Sequence, residues 1–190
     1  MIDHAFLAID LSNDERHALS AALAEAGIGS PIPGRRPPPK NWHVTLRFLG
    51  ECSDSEAERI MHRLSETVDT TPGKVWCSGL GAFPRASHAG VVFAAVDDPS
   101  GLLEYLAAVC EEAVVDVGFA PEERPFMPHL TISRLRPARD LRKLFDSFSE
   151  FRVPITVRDI TFLRTRRIPT GLTYEPIDSL PLEQTQTQGS

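Results

Sequence analysis

Two tetrapeptides repeat one pattern at separate places in the chain. HVTL begins at His43 and HLTI begins at His129, so each consists of a histidine, an apolar residue, a threonine and an apolar residue. Alternate side chains of a strand point to opposite faces, which places each histidine beside its own threonine, Thr45 or Thr131. On the background composition, two of six histidines would begin this pattern by chance roughly two times in a thousand. The repetition therefore indicates a function.

Two histidines and two threonines suit the acid–base cleavage of a phosphodiester. Imidazole titrates near neutral pH, so one ring can take a proton from attacking water while the other donates one to the leaving oxygen. Threonine hydroxyls can donate hydrogen bonds to phosphate oxygens as charge shifts in the transition state. The other histidines form no ligand set with carboxylates. We therefore predict neither a metal nor a cofactor.

Residues near the two motifs are candidates for substrate binding. Strand parity puts Arg47 on the face of the first histidine, where it could bind phosphate bidentately. Parity puts Arg134 opposite the second histidine, so it reaches the same groove only if the strand ends or bulges near Ser133. Phe126 is a candidate for stacking on a base, whereas parity assigns Phe48 to the core.

The bulk composition limits the class of protein. The chain has 190 residues, 42% hydrophobic and 24% charged, which is ordinary for a soluble globular domain or two small lobes. A net charge of −6 argues against holding long nucleic acid by overall charge, so we expect contact with an RNA end or a short oligonucleotide. With no membrane-length apolar run, no signal peptide and three widely spaced cysteines, we expect a cytoplasmic protein. We also expect a monomer, although no feature of the sequence gives the oligomeric state.

Periodicity and turn signals predict an order of elements that is similar in the two halves. Each motif follows a proline-rich loop, at 30–40 or 120–128, and each is followed by a helix and then strands. The histidines lie 86 residues apart (129 − 43). We expect one bilobal domain over 1–182 and a disordered tail over 183–190. The predicted strands are 4–11, 42–49, 74–80, 91–96, 129–135, 172–177 and one or two within 153–165; the helices are 16–26, 53–68, 98–117 and 138–148, with a turn-rich stretch at 81–90.

Several longer motifs carry a family resemblance. FLAIDL near the start, NWHVTLRFLGE at 41–51, GAFPR at 81–85, FMPHLTISR at 126–134 and ITFLRTRRIPTGLTYEPI at 160–177 together span nearly the whole chain. The chain resembles the 2H phosphoesterase superfamily, and within it the RNA 2',3'-cyclic phosphodiesterases once described as 2'-5' RNA ligases. The resemblance implies an α+β fold of two pseudo-symmetric lobes of antiparallel sheet plus helices around a central groove.

The resemblance also implies an activity and a division of roles. It implies hydrolysis of a 2',3'-cyclic phosphate at an RNA end to a 2'-phosphomonoester, with His43 as proton donor and His129 as proton acceptor. It favours Arg134 in substrate binding. The chain departs from the family pattern at Thr165, where a serine is common, and in the loop at 31–40, whose arginines have no secure counterpart.

Other functions remain open from the sequence. The substrate could instead be a small cyclic nucleotide or an ADP-ribose cyclic phosphate, or the enzyme could join RNA ends in the reverse reaction. A protein of another class, an RNA-end binder without turnover, would keep the groove, although intact histidines and threonines argue against it. The sequence alone leaves the natural RNA and the 2'- or 3'-position of the product phosphate undecided.

Overall fold

A computed structural model describes residues 1–27, 31–169 and 171–183. The strands and helices follow one another in the order β1 (Ile2–Asp10), α1 (Asn13–Ala26), β2 (His43–Cys52), α2 (Asp54–Thr67), β3 (Gly73–Arg85), β4 (His88–Asp97), α3 (Leu102–Val117), β5 (His129–Arg139), α4 (Arg142–Ser147), β6 (Arg152–Val157), β7 (Asp159–Ile168) and β8 (Gly171–Pro181). A 3-10 turn, Pro39–Asn41, precedes β2. The strands form two antiparallel sheets, β2-β1-β7-β8 and β5-β4-β3-β6. This arrangement confirms the predicted α+β fold.

Helix starts are fixed by local side chains. Ser12 accepts a hydrogen bond from the backbone of Glu15, whose carboxylate accepts one from the backbone of Ser12, and Ser53 and Glu56 repeat this capping box before α2. Most buried apolar residues of both sheets and of the three longer helices belong to one continuous core, and Phe6, Ala8 and Leu163 form a second, small cluster. None of the helices in the described part of the chain is long and apolar enough to cross a membrane.

The two lobes exchange helices. The first lobe, built on the sheet β2-β1-β7-β8, contributes α1, which contacts β6 of the other sheet. The second lobe, built on β5-β4-β3-β6, contributes α3, which contacts β2. The two motif strands, β2 and β5, also contact each other. Each lobe is therefore completed by an element from the other half of the chain.

A β-bulge interrupts the first motif strand. Ala8 of β1 pairs with Thr45, but the preceding residue, Leu7, pairs with Arg47, so Leu46 is an extra residue in β2. A bulge reverses the alternation of side chains beyond it. Residues after Leu46 therefore point to the opposite face from the one that simple parity assigns.

The second motif strand carries the same bulge at the equivalent position. Phe93 of β4 pairs with Thr131, but the preceding residue, Val92, pairs with Ser133, which leaves Ile132 as the extra residue. The two bulges thus follow the two motif threonines at the same distance. The pseudo-symmetry of the lobes extends to this irregularity.

Several predicted boundaries need correction. The stretch at 81–90 is not mainly a turn, because β3 continues to Arg85 and β4 begins at His88. Gly81 permits a close contact, since a Cβ there would lie 2.3 Å from the ring of Phe93. The helix predicted at 138–148 is the shorter α4, because β5 pairs with β4 as far as Arg139. The β-rich stretch at 153–165 belongs to two strands, and the predicted tail lies outside the described residues from 184 onward.

Candidate active site

The four motif side chains line one cavity. His43 and Thr45 come from β2 and His129 and Thr131 from β5, and the cavity between these strands encloses about 310 Å³. This volume is at the lower end of the range for small-molecule sites. The structure therefore brings together the residues that the repeated motifs single out.

The two imidazoles are held by equivalent hydrogen bonds. Nδ1 of His43 lies 2.8 Å from the backbone oxygen of Asn41, and Nδ1 of His129 lies 2.8 Å from that of Met127. A carbonyl oxygen only accepts, so Nδ1 carries the proton in both rings. Nε2 is then the nitrogen that remains for a ligand in each case. Asn41 is itself buried, and its side-chain amide donates to the backbone oxygen of Leu172 at 2.8 Å.

The two motif threonines keep their hydroxyls available. Within the described residues, neither Thr45 nor Thr131 has a side-chain hydrogen bond, and both line the cavity. Thr165 also lines it, but its hydroxyl donates to the backbone oxygen of His4 at 3.1 Å. Two hydroxyl donors and two imidazoles therefore face the same space, a set that suits an anion with several oxygen atoms.

The charge state of the first histidine is set by its surroundings. Burial lowers the pKa of His43 to about 4, although the hydrogen bond to Asn41 acts in the opposite direction. Nearby His129 and Arg134 contribute to the same lowering. In the free protein at neutral pH, the His43 imidazole is thus uncharged. An anion bound beside it would raise the pKa again.

The placement of Arg47 in the groove is wrong. The bulge at Leu46 turns its side chain away from the cavity, and only 9% of it is exposed. It forms an ion pair with Glu111 of α3, and it donates to the backbone oxygens of Phe48 and of Ala120. Arg47 thus joins β2 to α3 and to the loop before the second motif. Arg47 is therefore not placed to bind a phosphate in the cavity of the two histidines.

The same irregularity brings Arg134 and Phe48 into the cavity. The bulge at Ile132 reverses the parity of β5, so Arg134 lines the cavity as the resemblance implied. Phe48, which parity assigned to the core, also lines the cavity and is 49% exposed. Phe126 is instead half-buried against the core and is not among the lining residues. Of these two aromatic side chains, Phe48 is therefore the one that lies at the cavity.

Other lining residues could not be identified from the two tetrapeptides. Aromatic rings surround His43, with centroid distances of 4.8 Å to Phe6 and 5.0 Å to Tyr174, and Phe6 also stacks on Phe48 at 6.3 Å. Leu172, 39% exposed, extends this apolar wall. Cations from the loop at 31–40 line the same cavity. FLAIDL and GLTYEPI, two of the motifs of the resemblance, contain Phe6 and Tyr174, which was the available signal for them.

The described residues hold no group of three or more histidine, cysteine, aspartate or glutamate side chains that could bind a metal ion. The three cysteines are buried and unpaired. Burial raises the pKa of the Cys52 thiol to about 11 and that of Cys77 to about 12. These thiols therefore remain protonated at neutral pH and supply no nucleophile.

Comparison with known proteins places this geometry in a family. The family model described as 2'-5' RNA ligase superfamily matches residues 14–169. The chain belongs to this superfamily. The match confirms the 2H phosphoesterase resemblance drawn from the motifs. The two-lobed fold, with one motif histidine on each lobe, is therefore the fold of this superfamily.

Individual members of the superfamily are similar over most of the chain. The RNA 2',3'-cyclic phosphodiesterase of Archaeoglobus fulgidus is 31% identical over 178 residues, which are 90% of this chain and 96% of that protein. The Aeropyrum pernix protein of the same name is 34% identical over 124 residues, or 65% and 70% of the two chains. Among solved structures, Thermus thermophilus TT0787 superposes with a TM-score of 0.78 at 24% identity, covering 95% of this chain and 98% of that one. The structure of E. coli LigT complexed with 3'-AMP gives 0.75 at 22% identity, covering 97% and 100%.

Proposed function

We propose that the protein is an RNA 2',3'-cyclic phosphodiesterase that converts a terminal cyclic phosphate to a 2'-phosphomonoester. The observation that carries this proposal is the pair of imidazoles on equivalent strands, each with Nδ1 bonded to a backbone oxygen and each lining the same cavity. The names of the relatives at 31% and 34% identity support the same activity.

The proposed reaction breaks one P–O bond and forms another. Nε2 of His129 takes a proton from a water molecule, whose oxygen attacks the phosphorus. The bond from phosphorus to the 3'-oxygen breaks, and Nε2 of His43 gives its proton to that oxygen. The product carries a 2'-phosphate and a free 3'-hydroxyl, and solvent resets the two rings.

The remaining groups of the cavity stabilise the phosphate. Thr45 and Thr131 donate hydrogen bonds to its non-bridging oxygens, and Arg134 supplies a positive charge. His43 must be protonated to act as the acid, yet its pKa in the free protein is about 4. The negative charge of the substrate raises that pKa, so substrate binding itself brings the acid toward its working state. No step of this scheme calls for a metal ion.

Product analysis tests the proposal. The protein is incubated in EDTA with adenosine 2',3'-cyclic phosphate and with an oligonucleotide that ends in a cyclic phosphate. The expected product in both cases is the 2'-phosphomonoester, identified by chromatography against the 2'- and 3'-isomers. A 3'-phosphate product would reverse the orientation of the substrate between the histidines. Binding of the oligonucleotide without turnover would favour a non-catalytic RNA-end binder.

A further inference from the structure

The proline–arginine loop, residues 31–40, places cations at the cavity without acidic partners. Arg35, Arg36 and Lys40 line the cavity with Arg134. Across the described ranges, none of these four residues forms a salt bridge with a carboxylate, although the whole chain has a net charge of −6. Four cations left unpaired around one cavity indicate an anionic ligand with more charge than a single phosphate.

The first half of this loop is fastened to the second lobe. The backbones of Arg35 and Arg134 exchange two hydrogen bonds, of 2.9 and 3.0 Å, and the hydroxyl of Ser133 donates to the backbone oxygen of Pro33 at 2.6 Å. Gly34 has a φ of +95°, and a Cβ there would lie 2.6 Å from the backbone oxygen of Arg134. Only glycine adopts this conformation at low cost, and its lack of a side chain allows the loop to lie against β5.

The second half is fastened to the first lobe. Arg16 of α1 donates to the backbone oxygen of Pro39 at 3.1 Å, and Asn41 beyond it donates to β8 through Leu172. Five of the ten residues are prolines, whose φ angles are fixed by their rings. A loop held at both ends and stiffened in this way loses little conformational freedom when it binds a ligand. The backbone that carries its cations is therefore organised before the ligand arrives.

The position of Arg35 shows how far the loop reaches. A Cβ on Gly171, the first residue of β8, would lie 2.9 Å from Nη2 of Arg35. The side chain therefore extends from the loop on β5 to the edge of the other sheet and borders the cavity on both lobes. The proposed function assigns the histidines, the threonines and Arg134 to the cyclic phosphate, so the three loop cations are left for a second anionic group.

We propose that Arg35, Arg36 and Lys40 bind the phosphate on the 5' side of the terminal nucleotide. The preferred substrate is then a strand of two or more nucleotides, or a cyclic nucleotide with a 5'-phosphate, rather than a cyclic nucleoside phosphate alone. This inference rests on the proposed function and adds a substrate class to it. The contact is with the backbone, so it carries no preference for base sequence.

The test compares three substrates that differ on the 5' side. They are adenosine 2',3'-cyclic phosphate, the same compound with a 5'-phosphate, and an adenylyl dinucleotide that ends in the cyclic phosphate. We expect the wild type to have a kcat/KM about tenfold or more higher for the last two, as charged hydrogen bonds of this kind contribute on that scale. The triple variant Arg35→Gln, Arg36→Gln, Lys40→Gln should lower this ratio toward one, mainly through KM.

A matched variant removes the same charge elsewhere. Arg59→Gln, Lys74→Gln, Lys143→Gln changes three exposed cations that do not line the cavity, and the substrate ratio should stay at its wild-type value. The salt dependence of kcat/KM for the dinucleotide should become shallower only in the loop variant. If the triple variant is unfolded by circular dichroism, the single variants Arg36→Gln and Lys40→Gln provide the same comparison.

The outcomes separate this inference from the function on which it rests. Equal kcat/KM for the three substrates in the wild type overturns the loop subsite and leaves the phosphodiesterase standing. A ratio that falls equally in the loop variant and in the matched variant also overturns it, because bulk charge would then explain the effect. Absence of turnover on every substrate overturns the proposed function, and the inference with it.

Discussion

The two lobes have residues at equivalent positions after their bulges. One pair of these residues has the same role in both lobes, and the next pair does not. The first residue after each bulge points away from the cavity and holds a loop from the other half of the chain. Arg47 donates to the backbone oxygen of Ala120, and Ser133 donates to that of Pro33. The two motif strands are thus symmetric in this respect, because each binds a loop from the other half of the chain.

The next residue after each bulge points into the cavity, and there the symmetry ends. The first lobe presents Phe48, and the second presents Arg134. Phe6 and Tyr174 extend the aromatic side around His43, whereas the proline–arginine loop extends the cationic side. Two equivalent histidines suit an acid–base pair, but a nucleotide has an apolar base and charged phosphates. An unequal pair of walls is what such a ligand requires.

Removing either histidine should have the largest effect. His43→Ala and His129→Ala should each lower kcat by about 10²–10⁴-fold, the usual contribution of a positioned acid or base. The double variant should be little worse than the more damaging single variant, because the two rings act as a unit. Thr45→Ala and Thr131→Ala should cost less, since each removes one hydroxyl donor. The exposed His88 provides the control, and full activity in either single histidine variant would exclude the paired mechanism.

Arginine variants should distinguish a residue that stabilises the fold from a residue that acts at the cavity. Arg47→Met should lower the free energy of unfolding by about 2–4 kcal/mol, because it leaves Glu111 and two backbone oxygens without their partner. Urea titration measures this loss, and kcat/KM of the folded fraction should change little. Arg134→Met should do the reverse, with near-normal stability and a kcat/KM lower by about tenfold or more. Loss of activity without loss of stability in Arg47→Met would instead indicate that Arg47 binds the substrate.

Aromatic variants should sharpen the contrast between the two walls. Phe48→Ala should raise KM by about 5- to 100-fold, the range expected for one base stacked on an aromatic ring. Phe48→Tyr keeps the ring and should retain most of the affinity. Phe126→Ala should act on stability instead, since that side chain packs against the core. An unchanged KM in Phe48→Ala would show that the base does not stack on Phe48.

The smallest effect concerns the titration of His43. Its ring signals in NMR should titrate near pH 4 in the free protein, and saturating phosphate should raise the midpoint. Because folding lowers this pKa from its ordinary value near 6.5, the unfolded chain binds the proton more readily. Stability should therefore fall as pH drops from about 6.5 to about 4, and His43→Gln should remove that part of the slope. A midpoint near 6.5 without phosphate would contradict the assignment.

The sequence was sufficient to predict that two histidines and two threonines lie at one site, and to predict the order of elements. These depend on local patterns: two tetrapeptides with strand periodicity, helical periodicity and proline-rich loops. It was insufficient for Arg47 and Phe48, because one extra residue in a strand leaves no trace in a single sequence yet reverses every side chain beyond it. Arg134 came from the resemblance against the parity argument. The cation wall depends on a loop that crosses to the other lobe, and no local signal specifies that crossing.

The crossed loops and helices give one chain the contact pattern of a two-fold dimer. In such a dimer each subunit gives its partner what it receives in return. Here α1 and the proline–arginine loop reach the second lobe, while α3 and the loop before His129 reach the first. A change in the length of the proline–arginine loop would therefore act first on β5, in the opposite lobe. Neither half of this molecule can be redesigned, shortened or exchanged with that of a relative as an independent module.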